Sequence, residues 1–217
     1  MTFPSWPGDP REPAEPDLPS YPYPPLRPMP RREGPLLVPL VDVPGDRPAT
    51  ERGPRRVLLS GPLDAPTTNR VAAELMELDG RAADEVELLI NSDGGRLADV
   101  LPLLDVLGLM RAPVRTRCVG RATGTAAILL ACGTGGRQAA RHALVSLRCT
   151  DQERIEGGPE VLRAQLEELD LVRRHVIDAL AAATGRPRAE LADDLDRGGV
   201  LDAAGAAALG VVDQADS

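Results

Sequence analysis

Lysine is absent: all 25 basic residues of the 217-residue chain are Arg. That removes a Lys general base and a Schiff-base former from consideration. Aromatic residues are scarce too. Phe3, Trp6, Tyr21 and Tyr23 are the whole complement, so everything after residue 35 must build its core from Leu, Val, Ile, Ala and Met. Three cysteines, Cys118, Cys132 and Cys149, are odd in number and widely spaced. They do not form a disulfide framework, and a reducing cytoplasm is the expected location. With His142 and His175 as the two histidines, no zinc-ligand spacing emerges, and neither metal nor cofactor is expected. No apolar run approaches the length of a membrane span; segment 126–132 is far too short. The opening MTFPSWPGDP lacks the basic start and apolar stretch of a secretory signal. A net charge of -8 has the wrong sign for nucleic acid or an anionic membrane surface, so neither is an expected partner.

What is present is unevenly distributed. Fifteen of the 22 prolines precede residue 49. Proline fixes φ and lacks an N–H, so a stretch such as PYPPLRPMP sustains neither a helix nor a sheet ladder. Residues 1–35 are expected to form a disordered or polyproline-like arm: a passive tail, a docking segment or a removable propeptide. Residues 36–217 form the expected globular domain, where strand and helix signals alternate. Strands are expected at 56–60, 86–90, 114–119, 143–149 and 210–213. One helix carries Val71, Ala72, Leu75, Met76 and Leu78, capped by Thr67 or Thr68 and closed by Gly80. A second runs from Leu97 to Met110, and an apolar third covers 126–132. A long fourth covers about 159–183, with Leu162, Leu166, Leu169, Val172, Val176 and Leu180 in a stripe. Two short helices precede the last strand. This alternation implies an α/β fold with mainly parallel pairing.

Two strand-to-helix turns are built from small residues. Gly94-Gly95 follows one apolar strand, and Gly120–Thr125 follows another. Backbone approaches a ligand closely where no Cβ intervenes, and free N–H groups there bind anions or a developing oxyanion.

Segment 88–95, Leu-Leu-Ile-Asn-Ser-Asp-Gly-Gly, resembles the Ile-Asn-Ser-Pro-Gly-Gly turn of the Clp protease proteolytic subunit (ClpP) family. Segment 118–133 is similar to that family's nucleophile region. Leu-Val-Pro-Leu-Val at 37–41 resembles the start of its mature subunit, and 201–213 its closing helix and strand. The likeness keeps its order and spacing over residues 36–215. It implies a crotonase-like α/β superhelical protomer, two seven-membered rings enclosing a chamber, and a handle helix at 159–183 that interdigitates between rings.

The family's catalytic positions transfer onto residues of the wrong chemistry. The resemblance places the nucleophile at Gly124, the base at Arg148 and the third triad member at Gly198. Glycine has no attacking atom, and a guanidinium stays protonated. Gly95 and Thr125 match the two positions whose N–H groups form the oxyanion hole. Asp196-Arg197 matches an acid–Arg pair used across the ring–ring contact. Thr123, Thr125 and Ser146 are neighbouring hydroxyls, but they need an oriented base, and neither His142 nor His175 is well placed for that role. Arg148 is expected to be buried and to pair with Asp93 or Asp151. The stretch at 42–54 is short and lacks the aromatics on which partner ATPases dock. The expected function is an inactive ClpP-like subunit, structural or regulatory, in homo- or hetero-oligomers, with an AAA+ ATPase reached only through the complex. The alternatives are a serine-type endopeptidase with an unrecognised site and a crotonase-like acyl-thioester binder.

Overall fold

A computed structural model describes residues 55–149 and 157–216. The expected arm at 1–35, the segments at 37–41 and 42–54, and Asp151 lie outside them. Strand β1 (Arg56–Ser60) buries Val57 and Leu59 and leaves its other side chains outward, as alternation requires. It pairs in parallel with β2 (Val86–Ser92), and β2 pairs in parallel with β3 (Val114–Thr123). Between β1 and β2 runs helix α1 (Ala65–Arg81). Its cap is Asp64, whose carboxylate accepts the Thr67 N–H at 3.0 Å, rather than Thr67 or Thr68. The capping hydrogen bond holds the Asp64 carboxyl below its usual range. Thr68 is instead buried in the first turn and donates to Asp99 O. The helix also passes through Gly80, and the guanidinium of Arg55 collects the Leu78 and Ala82 carbonyls at its end.

The expected helix 97–110 is interrupted. A 3₁₀ turn, Leu97–Val100, precedes α2 (Leu101–Leu109), because Pro102 lacks an N–H and is tolerated only in a first helical turn. Strand β3 is longer than expected and runs through Gly120. Between Ile90 and Ser92, β2 advances two residues while β3 advances four, and Gly120 (φ +92) absorbs the bulge. Helix α3 (Thr125–Ala131) then lies wholly inside the molecule. Two short strands follow, both parallel to β3: β4 (Arg137–Ala139) along its first half and β5 (Leu144–Ser146) along its end. The expected strand 143–149 is thus only three residues long. Helix α4 (Pro159–Thr184) stops at Gly185 in the left-handed region. Helices α5 (Arg188–Arg197) and α6 (Ala203–Ala208) lead to β6 (Gln214–Ala215), which pairs with β4. The expected last strand at 210–213 is displaced towards the C-terminus because Gly210 (φ +74) turns the chain and sends Val211 and Val212 into the core. The sheet order is β1-β2-β3-β4-β6, every ladder is parallel, and the α/β reading holds.

Without aromatics, the core is a cluster of Leu, Val, Ile and Ala, with Leu88, Ile90, Ile128, Leu129 and Leu130 at its centre. One guanidinium ties its far end together. Arg137 donates to Ala131 O, Ala183 O and Gly210 O, the trailing ends of α3, α4 and the turn after α6. It also pairs with Asp213, holding that carboxyl below its usual range. Helix α4 is packed unevenly. Val172, Val176 and Leu180 are buried, whereas Val161, Leu166 and Leu171 are about half exposed.

Candidate functional site

The carboxyl ends of β1, β2 and β3 converge on the two glycine turns. At the first, Leu63 N–H donates to Gly94 O at 2.9 Å, pinning the turn to the loop after β1. The fit is so close that a Cβ built on Gly95 would lie 1.8 Å from Leu63 O. Gly94 N–H donates to Ser92 Oγ at 3.0 Å, and Gly95 N–H donates to Thr125 Oγ1 at 2.8 Å. Gly95 and Thr125, expected together, are in direct contact.

The second turn is Gly124, between β3 and α3. Its φ of +57 and ψ of -122 belong to a region that only glycine enters without strain. Its N–H donates to Ser146 O at 2.8 Å, and Thr123 lies opposite Ser146 in the β3–β5 register. A Cβ built on Gly124 would lie 3.4 Å from Arg148 O and 3.7 Å from Cys149 Sγ. Positions 124 and 148 are therefore neighbours. The third position approaches from α5. Cys149 N–H donates to Leu195 O at 2.9 Å, and Leu201 and Val145 exchange two backbone bonds at 2.7 and 2.8 Å. Gly198 lies in sequence between these two ties, on the segment that the ties hold beside residues 145–149. Gly198 has no room for a side chain, because a Cβ there would lie 2.4 Å from Asp194 O.

The chemistry of the remaining side chains is limited. Arg148 is exposed, not buried, so it has no desolvated charge to neutralise. Asp93 pairs instead with Arg121 at 2.8 Å, and this hydrogen bond and charge raise the Arg121 pKa. Arg121 is a site residue that sequence reasoning missed, although a carboxylate standing where the family carries Pro was the signal for a cation on the adjacent strand. Ser60, Gly61, Asn91 and Ser92 complete an open polar pocket around that pair. His142 is exposed ahead of β5 and His175 is exposed on α4. Among the described residues, neither hydrogen-bonds to Thr123, Thr125 or Ser146. Burial pushes the Cys118 thiol up to about 11 and Cys132 up to about 12, so both stay protonated and unreactive at neutral pH. Asp196 pairs with Arg173 of α4 at 2.8 Å, and Arg197 with Asp193 one turn earlier, so both members of the expected ring-contact pair have partners within the chain.

The sequence profile described as Clp protease matches residues 52–215. The chain belongs to the Clp protease family. Among curated relatives, it is 37% identical over 165 residues to a Clp protease proteolytic subunit-like protein of Streptomyces coelicolor, covering 74% of this chain and 77% of that one. It is 35% identical to ATP-dependent Clp protease proteolytic subunit 1 of Nocardia farcinica, covering 73% and 81%. It is 32% identical to proteolytic subunit 2 of Corynebacterium jeikeium, covering 74% and 78%. Among the described residues of this Clp protease family member, no helix is long and apolar enough to cross a membrane, and no group of His, Cys, Asp and Glu is placed to hold a metal ion.

Proposed function

We propose that this chain is a non-catalytic subunit of a Clp-type protease assembly, structural or regulatory in role. The observation that carries the reading is Gly124: a strand-to-helix turn with the backbone twist suited to presenting a nucleophile, packed against position 148, and bearing no side chain. Arg148 cannot accept a proton there, and Gly198 cannot orient a base, so all three roles of a Ser-His-Asp triad are vacant. The framework supports assembly. Val161, Leu166 and Leu171 of α4 stand about half exposed, apolar side chains that a neighbouring subunit would cover. Asp196 and Arg197 are exposed enough to exchange their intrachain partners, Arg173 and Asp193, for partners across a ring contact. An AAA+ ATPase would be reached through other subunits, in the cytoplasm.

The test is native mass, measured for the chain alone and co-expressed with an active homologue from the same genome, together with labelling by a fluorophosphonate serine probe. A mixed ring in which only the homologue is labelled is the expected result. Labelling of this chain, or a monomer under every condition, would overturn the proposal.

A further inference from the structure

We propose that Thr125 is a built-in stopper whose hydroxyl closes the Gly95 backbone donor of the site from inside the protein. The inference rests on the non-catalytic reading and adds a second, separate block to it. Three amides converge at the site, and each is spent within the chain. Gly94 N–H is held by Ser92 Oγ at 3.0 Å, Gly124 N–H by Ser146 O at 2.8 Å, and Gly95 N–H by Thr125 Oγ1 at 2.8 Å. The first two bonds belong to the turn and the sheet. The third is different, because its acceptor is a side chain 30 residues away and fully buried.

The hydroxyl occupies the space that a developing negative oxygen would need in order to accept the Gly95 N–H. It also cannot leave easily. Its other hydrogen-bonding neighbour is Gly95 O at 3.5 Å, so turning away strands a buried hydroxyl. A β-branched side chain has few χ1 alternatives. The turn above it has no slack, since the place of a Gly94 Cβ is 3.0 Å from Thr125 Oγ1 and 3.1 Å from Thr125 N. Supplying a nucleophile at position 124 would therefore leave the site without the Gly95 N–H as an oxyanion donor while Thr125 stays.

Hydrogen–deuterium exchange of the Gly95 amide, read by mass spectrometry on the full chain as it assembles, tests this. Gly95 is itself exposed, so protection of its amide has to come from Thr125. The wild-type amide should exchange at least about fivefold slower than an unstructured reference, the worth of one ordinary hydrogen bond. Thr125→Val, which keeps the shape and removes the hydroxyl, should abolish that protection, and Thr125→Ser should retain it. An unprotected Gly95 in the wild type, or protection unchanged in Thr125→Val, would overturn the stopper; the wild-type measurement stands even where the Val variant does not fold. An inert chain with an unprotected Gly95 refutes the stopper and not the non-catalytic reading. A chain labelled by the serine probe refutes the reading, while Gly95 exchange still decides the stopper.

Discussion

The two glycine turns of the site differ in what holds them. At Gly95, a methyl group would enter the Leu63 carbonyl, 1.8 Å away, so contact forbids a side chain. At Gly124, the nearest atom to an added Cβ is 3.4 Å off, and only the backbone twist opposes one. The first turn is fixed by packing, and the second has room for a side chain that its backbone twist alone opposes. The two turns therefore differ in their constraint: close fit at Gly95, backbone conformation at Gly124.

The sharpest way to break this contrast is at the packed turn. Gly95→Ala should destabilise the protein by about 3 kcal/mol or more, because the clash is with backbone and not with a yielding side chain. Urea unfolding followed by far-ultraviolet circular dichroism reads it. Arg137→Met should cost about 2–3 kcal/mol, since three carbonyls and Asp213 lose one shared donor. This pair also sets a pH dependence. The Asp213 carboxyl is held low in the folded chain, so its contribution is complete above about pH 4, the unfolded carboxylate range, and is lost as pH falls below it. Arg137→Met should flatten that part of the acid-stability curve. Gly124→Ser should cost about 1–2 kcal/mol of backbone strain, and the variant should remain unlabelled by the serine probe. Arg148→Ala, at an exposed position, should change stability by less than about 0.5 kcal/mol. If Gly124→Ser proved as damaging as Gly95→Ala, the distinction between the two turns would collapse.

The parallel α/β plan, the glycine turns and the bounds of α4 were legible in the sequence, because each rests on a local pattern: apolar runs, small residues after a strand, a helical stripe closed by Gly185. What escaped reading depends on contacts between distant segments. The residues of β4 are polar and few, and they become a strand only because β3 offers an edge. The cap of α1 was misplaced by three or more residues because Asp64, Thr67 and Thr68 all carry suitable oxygens, and the choice is settled by Thr68 turning inward to Asp99 O. Arg148 was expected to be buried, yet its long side chain is exposed, because a guanidinium on a three-carbon stem reaches solvent from a strand end. The same limit hid the Gly95–Thr125 bond, which joins residues 30 apart.

A core without aromatic rings has an optical consequence. Phe3, Trp6, Tyr21 and Tyr23 all lie ahead of residue 24, so the folded domain has almost no absorbance at 280 nm and no tryptophan emission of its own. Fluorescence from this protein reports on the surroundings of one N-terminal tryptophan, and a chain trimmed of its first 23 residues would pass an ultraviolet detector nearly unseen.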